Sequence, residues 1–283
     1  MKLGIAMSEC SPIYQEAAYS FATGLNCDFH SVPEHSINEQ FKECDAFILV
    51  GNDYKNSPSK KFAYNSGKPV IVINGSFFEG KNPKKYVRVN LNGFVNNMCE
   101  LPSPDYKRWD SLAQYHGYKD IFKKREGKGI LIALNAKTSP ALLKFSMEDW
   151  LYDTVKQLKE VTDQPIYIRH HRKKKQGYSK KFNQMRHEFK VKEESDDRTS
   201  DVPKKYAASL VFTTTYSVKS LMYGTPHISG HPGDFVSNIV KSDISEESLN
   251  FYPNEDDLYE HYGRLSRLEW SIEEIKSGEC WNT

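Results

Sequence analysis

The chain has 283 residues, a formal net charge of +2, and 38% hydrophobic and 13% aromatic residues. That length buries one large core or two of ordinary size, and the aromatic share excludes a disordered chain. Five cysteines (Cys10, Cys27, Cys44, Cys99 and Cys280), none at CxxC spacing, exclude a disulfide framework and a zinc-ribbon pattern.

This cysteine usage fits a reducing cytoplasm. The opening MKLGIAMSEC has too short an apolar run for a signal peptide and reads as a first strand. No apolar stretch approaches the roughly eighteen residues of a membrane span. The expectation is a soluble, cytoplasmic monomer without membrane contact.

The N-terminal half alternates strand and helix signals. Leu3–Met7 is a short apolar strand, and Tyr14–Leu25 is helical in pattern with Ala17, Ala18, Phe21 and Ala22 on one side. Ala46–Val50 (AFILV) is a continuous apolar run, as a strand buried on both faces requires. Ser59–Asn65 reads as a short helix ending at Gly67, and Val70–Ile73 as the next strand. From about Glu100 to Glu126 the pattern breaks at Pro102, Pro104 and Gly117, with a helix over Trp109–His116. This segment is the expected interdomain connection.

The pattern restarts at Gly129. Ile130–Leu134 is a strand. Ser146 opens a helix to Val161, with Asp149 three residues on. Pro165–Ile168, Val191 with its flanks, Leu210–Phe212 and His227–Ser229 follow as strands. The tail from Leu258 to Gly278 reads as helical, with Tyr262, Leu265, Leu268 and Trp270 as its apolar members. Repeated βα units imply mostly parallel sheets covered by helices. The fold class is α/β, as two Rossmann-like domains with a central cleft over residues 1–115 and 127–258, and a helical tail over 259–283 that packs back on the first domain. Ligands in such sheets bind beyond the carboxyl ends of the strands.

Three segments carry chemistry. In SLVFTTTYSVKSLMYGTPHIS (Ser209–Ser229) a strand runs into the hydroxyl-rich Thr213-Thr214-Thr215-Tyr216-Ser217 and then a helix. Such a turn offers backbone N–H groups and hydroxyls to a phosphate, and reads equally as an ordinary βα turn with Ser217 as the N-cap. In IYIRHHR (Ile166–Arg172) a strand ends in Arg169, His170, His171 and Arg172. Arginine suits bidentate contact with phosphate, though a solvated basic loop reads the same way. The histidine pair has no carboxylate or cysteine at ligand spacing, so no metal is expected.

Third, ten Lys or Arg residues and one acid, Glu188, lie between Ile168 and Lys192, with Tyr178, Phe182 and Phe189 interleaved. Lys173, Lys174, Lys175, Lys180 and Lys181 belong to this run. Lys60, Lys61, Lys81, Lys84, Lys85 and Arg88 form a second basic cluster in the other half. Two such clusters suit a polyanion, and double-stranded DNA is the natural one. Against this, Glu193, Glu194, Asp196 and Asp197 follow at once and neutralise part of the run. Glu9 and Asp53 follow the first and AFILV strands. Either carboxylate serves as a general base or as a helix N-cap. GxSxG, HExxH, Walker A, GxGxxG and DxD patterns are absent.

Taken together and in order, these segments resemble the GT-B type of glycosyltransferase, and more closely a group of phage-encoded sugar transferases. The resemblance rests on Gly67-Lys68-Pro69-Val70, Val87–Phe94, Gly129–Leu134, Pro165–His171, Thr213–Pro226 and Leu268–Trp281. It implies that the C-terminal domain binds a nucleotide-sugar, UDP-linked, as co-substrate, with Arg169, His171 and Arg172 at the diphosphate and Thr215, Tyr216 and Ser217 in the phosphate loop. The acceptor then lies on the N-terminal domain. The phage relatives often carry Arg-x-His-Pro where this chain has Arg169-His170-His171-Arg172, and an acid where it has Asn74, which shifts the base to Asp53 or Glu9. The implied acceptor is the hydroxyl of a 5-hydroxymethylated pyrimidine, chiefly 5-hydroxymethylcytosine, in phage DNA inside the host cytoplasm, an anti-restriction modification. A target base in a duplex must leave the stack. A glycan acceptor, and a non-catalytic nucleic-acid-binding protein, are the alternatives.

Overall fold

The computed structural model describes residues 1–7, 12–51, 57–78, 86–93, 101–135, 142, 145–171, 180–194 and 203–281. In chain order the elements are β1 (Lys2–Met7), α1 (Pro12–Gly24), β2 (Asp28–Pro33), α2 (Glu39–Lys42), β3 (Ala46–Val50), α3 (Pro58–Asn65), β4 (Val70–Gly75), β5 (Tyr86–Leu91) and α4 (Tyr106–His116). Then come β6 (Ile130–Ala133), α5 (Met147–Val161), β7 (Ile166–Arg169), α6 (Lys180–Glu188), β8 (Lys192–Glu193), β9 (Ala208–Val211), α7 (Tyr216–Met222) and β10 (His227–Ser229). The chain closes with α8 (Glu246–Asn250), α9 (Glu255–Ser266), β11 (Glu269–Ser271) and α10 (Ile272–Ser277).

Contacts divide the chain into two compact units. Unit 1 comprises Met1–Gly117 and Tyr262–Thr283, and unit 2 comprises Tyr118–Lys137 and Ala141–His261. The sheet of unit 1 has the order β11-β5-β4-β3-β1-β2. Strands β1 to β4 are mutually parallel, while β5 runs antiparallel to β4 and β11 antiparallel to β5. The sheet of unit 2, β10-β9-β6-β7-β8, is parallel throughout.

The apolar strands fill these sheets as their composition requires. All five residues of β3 are buried, as expected of a strand covered on both faces. One face of the unit 1 sheet presents Leu3, Ile5, Ile48, Val50, Ile71 and Ile73 to Phe21 of α1 and Ile275 of α10. Helices α1 and α10 approach closely at Gly24, where a Cβ would meet the Ile275 carbonyl at 2.3 Å; only glycine fits. In unit 2, α5 buries Leu151, Thr154, Val155 and Leu158, the i, i+3, i+4, i+7 stripe of a sheet-covering helix. Ser146 caps it, its hydroxyl accepting from Asp149 N at 3.2 Å.

The tail departs from the helix expected over Leu258 to Gly278. Helix α9 stops at Ser266, β11 joins the edge of the unit 1 sheet, and Trp270 lies on that strand. A new helix then begins at a capping box, with Ser271 Oγ accepting from Glu274 N and Glu274 accepting from Ser271 N. The Ser-x-x-Glu spacing was there to be read, but the apolar residues on either side also fit helical spacing. Strand β2, its residues mostly exposed, also lay below the hydropathy signal.

Arg108 of α4 fastens the returning tail. Its Nε donates to Ser266 O at 3.0 Å, and its Nη1 and Nη2 reach Glu274 Oε1 and Oε2 at 2.7 and 3.1 Å. Nη2 also donates to the Glu269 carbonyl, and the guanidinium stacks 4.0 Å from the Trp270 ring centroid. Lysine offers neither the fork nor the planar stack. Arg108→Lys is therefore expected to destabilise unit 1 by about 2 kcal/mol and Arg108→Ala by about 3 kcal/mol, since a half-buried acid loses its partner. Urea unfolding curves of the three proteins measure this; an Arg108→Lys midpoint equal to wild type would refute it.

Beside this fork the strands carry a buried polar row. Glu269 pairs in register with Arg88, and Arg88 with Asn74, and all three side chains are buried. Glu269 Oε1 accepts from Phe77 N at 2.5 Å. Burial pushes its carboxyl up to about 7, and Ser76, the Phe77 amide, Arg88 and Arg108 pull it back only in part. The unfolded chain releases this proton near 4.5 and the folded chain only near 7. The contribution to stability is thus complete below the unfolded value and is lost as pH rises to the folded one, a fall of roughly 3 kcal/mol. Glu269→Gln keeps the acceptor for Phe77 N and does not titrate. Its stability, relative to wild type, is expected to rise between pH 5 and pH 8; parallel stability–pH curves for the two proteins would exclude the assignment.

Candidate functional site

The described residues that the sequence assigns to the nucleotide-sugar follow or end strands β7 and β9 of the unit 2 sheet. Strand β7 ends in Arg169, and β9 leads into Phe212 and the threonine turn. The parallel register places Ala133, Arg169 and Val211 side by side on β6, β7 and β9. Arg169 shares its sheet face with Tyr167, by strand alternation. Its guanidinium is nine-tenths buried and stands 5.9 Å from the Tyr216 ring centroid. That ring packs with Leu131, Ala133, Tyr206 and Val211. The Tyr216 hydroxyl is buried and has no hydrogen-bond partner among the described residues, an arrangement that asks for an explanation. Burial drives its pKa well above 10, Arg169 drawing it down and Glu194 pushing it up.

The turn itself differs from the expected phosphate cradle. Two of its amides are already bonded: Tyr216 N donates to Thr214 Oγ1 at 3.0 Å, and Ser217 N to Thr214 O at 3.1 Å. The N-cap of α7 is Thr215, not Ser217, and Thr215 makes no side-chain cap bond. Its half-buried side chain stays available beside Tyr216. Ser217 is fully buried and bonded inward, its Oγ 2.6 Å from Asp234 Oδ1 and 2.8 Å from Thr214 O. A hydroxyl has one proton to donate, so Ser217 has none for a ligand.

Two residues at this edge escaped the sequence reading. Asn135, just past β6, donates from Nδ2 to Thr213 O and Thr213 Oγ1 at 2.6 and 2.9 Å and accepts from Thr213 N at 3.2 Å. It thereby clamps the first residue of the turn. Asp234 holds the other end. Neither belongs to a motif; an isolated Asn or Asp between strands and loops carries no signal of its own. Phe145, Phe212 and His231 form an aromatic cluster at the same edge, with centroids 5.2, 5.3 and 4.7 Å apart. Trp150 packs against Phe212, with centroids 5.3 Å apart, and Gly230 leaves room for its ring, since a Cβ there would meet Trp150 Cζ2 at 2.7 Å. Burial lowers the pKa of His231, with Asp234 opposing.

The histidine pair splits, as adjacent residues after a strand do. His170 packs against Phe182, on the sheet face opposite Arg169, with centroids 5.4 Å apart, and burial lowers its pKa. His171 is exposed. Arg172, both expected bases, Glu9 and Asp53, and the cations Lys84, Lys85, Lys173, Lys174 and Lys175 lie outside the described residues. Among the described residues no group of three or more His, Cys, Asp or Glu is placed to hold a metal, and no helix is long and apolar enough to cross a membrane.

The basic clusters are partly spent. Arg88, expected at a DNA phosphate, is buried on β5 with its guanidinium 4.6 Å from the Phe77 ring centroid; enclosed between β4 and β11, it reaches no surface ligand. Lys60 is buried as well, 2.7 Å from Glu34 Oε2. Lys181 pairs with Asp149, and Arg186 reaches Glu193 at 2.6 Å. Lys180 opens α6.

No family model matches the sequence, and no curated protein does. Among solved structures the chain is similar to Thermosulfurimonas dismutans KpsC, described as a β Kdo 2,4 transferase. That match has 14% identity and a TM-score of 0.54, over 94% of this chain and 90% of the other. It is similar also to the β Kdo 2,7 transferase of KpsC from the same organism, with 11% identity and a TM-score of 0.56 over 100% and 99% of the two chains. At these identities the likeness is one of fold: two Rossmann-like α/β units of the GT-B type.

Proposed function

We propose that this protein is a glycosyltransferase that takes its sugar from a nucleotide-sugar, with the donor's phosphates held at the carboxyl edge of the unit 2 sheet. The observation that carries this reading is the Arg169–Tyr216 pair. A nearly buried guanidinium stands beside a buried phenol whose hydroxyl has no described partner. Thr215, the residue before Tyr216 and the N-cap of α7, makes no side-chain cap bond. Arg169 supplies the cation for a donor phosphate. Arg169 offsets the negative charge that grows on the leaving diphosphate as the anomeric C–O bond breaks. The acceptor hydroxyl forms the new bond to the anomeric carbon and gives its proton to a carboxylate, Asp53 or Glu9 in this proposal. Glu269 is unsuited to that task, being buried and held by the Phe77 amide. The UDP-linked donor comes from the family resemblance.

Arg169→Ala is expected to weaken binding of UDP, or of whichever nucleoside diphosphate wild type binds best, at least tenfold, about 1.4 kcal/mol, with the circular dichroism spectrum retained. Isothermal titration calorimetry reads this directly, and unchanged affinity removes Arg169 from the site.

For the acceptor, the resemblance to phage sugar transferases supports the hydroxyl of a 5-hydroxymethylated pyrimidine in DNA, with Lys173, Lys174, Lys175, Lys84 and Lys85 meeting the backbone. A second reading, a glycan acceptor, gains support from the burial or pairing of Arg88, Lys60, Lys181 and Arg186, and from the shared fold with two Kdo transferases. Incubation with a panel of nucleotide-sugars and hydroxymethylated DNA, followed by mass analysis of the nucleosides, separates the two. A hexose or pentose mass on the modified pyrimidine supports DNA. Its absence, with donor consumed when oligosaccharides replace DNA, establishes the glycan.

A further inference from the structure

We infer that Asp234, which no sequence motif marks, is a positioning residue that locks the 213–217 turn of the proposed donor site onto the neighbouring strand. The inference rests on that donor reading for its functional consequence and on unit 2 geometry for the rest. Asp234 is fully buried in the loop after β10. Its Oδ1 accepts from Ser217 Oγ at 2.6 Å and from Phe235 N at 2.8 Å. Its Oδ2 lies 3.1 Å from His227 Nε2, and His227 Nδ1 lies 2.8 Å from Ser209 Oγ. His227 and Ser209 are also register partners on β10 and β9. One carboxylate thus joins the start of α7, the first residue of β10 and, through that residue's imidazole, β9.

The chain Ser209–His227–Asp234 has the connectivity of a hydrolytic triad. Ser209, however, is 1% exposed and His227 0% exposed within a parallel ladder, so no substrate reaches the hydroxyl. A holding role fits the burial. A buried carboxylate is costly, and apolar packing of equal volume serves stability as well or better. What the carboxylate supplies is direction: it draws Ser217 Oγ inward and sets the orientation in which Tyr216, the preceding residue, stands beside Arg169. Sites held this way keep their geometry before the ligand arrives.

The test uses the full chain and two variants, Ser217→Ala, which removes the hydroxyl bonded to Asp234, and Asp234→Asn, which removes the charge and one of the two acceptor oxygens. In Asp234→Asn the amide turns an N–H either toward Ser217 or toward the His227 Nε2 that donates to Asp234 in the native chain. Amide hydrogen exchange is expected to quicken at least tenfold across 213–222 while 130–133 is unaffected. Affinity for UDP, measured by calorimetry, is expected to fall about tenfold. The double variant is expected to lose less than the sum of the two single ones, because both touch the Ser217–Asp234 bond. Should Asp234→Asn fail to fold, Ser217→Ala carries both measurements. Unchanged exchange across 213–222 in the variants overturns the inference, as does exchange that quickens equally in 130–133. If wild type binds none of UDP, CDP, GDP or ADP, the donor reading fails, and the exchange measurement still decides whether Asp234 holds the turn.

Discussion

The antiparallel side of the unit 1 sheet depends on one guanidinium. The chain leaves this unit at Gly117 and returns at Tyr262 after building all of unit 2, so contacts distant in sequence must hold the returning segment. Arg108 binds the Ser266 carbonyl at the end of α9, the Glu269 carbonyl on β11 and the Glu274 carboxylate on α10. It covers the Trp270 ring as well. Glu274 is in turn the acid of the capping box that starts α10. The last strand, the helix after it and the α1–α10 contact at Gly24 therefore share one anchor. Phe78, Trp109 and Tyr262, with centroids 5.1 to 6.0 Å apart, add an apolar contact between the same elements.

Unit 2 solves a different problem. Its sheet is parallel throughout and supplies ligand-facing loops only at the carboxyl edge. Loops are mobile unless their polar groups are satisfied. Here the turn after β9 is fixed at both ends, by Asn135 at Thr213 and by Asp234 at Ser217. Between those clamps lie Thr215 and Tyr216, which the clamps leave uncommitted, with the Tyr216 ring beside Arg169. The polar groups divide into those that hold the turn and those left over for a partner, and the division follows from counting protons.

Strands with strong apolar runs were legible in the sequence. Ala46–Val50 and His227–Ser229 fall where their composition puts them, and Ser146 caps α5 as its spacing indicates. What failed has physical causes. Tyr262, Leu265 and Leu268 recur at helical spacing up to Trp270, and periodicity cannot see the sheet edge that recruits Trp270 into β11. Arg88 and Lys60 read as surface cations because composition cannot tell a paired or stacked charge from a solvated one. Ser217 reads as a phosphate ligand until Asp234, seventeen residues on, claims its proton. At the proposed site, the residue types were visible and the allocation of their hydrogen bonds was not.

That allocation also bears on the acceptor. A polyanion is held by cations that reach water, and each one placed on a phosphate steepens the salt dependence by about one unit. Arg88 and Lys60 are enclosed in unit 1, and Lys181 and Arg186 are matched by carboxylates in unit 2. The electrostatic case for DNA therefore loses Arg88 and Lys60 outright, is weakened at Lys181 and Arg186, and rests on the remaining cations, Lys61 and Lys190 among them at the surface. Such cations bind a backbone without reading its sequence. On the DNA reading, selection of one modified base must then come from contacts with the extruded base itself. A glycan acceptor makes the opposite demand. It needs few cations and many paired hydroxyl partners, so the two readings differ in what an acceptor site must supply more than in the net charge of the chain.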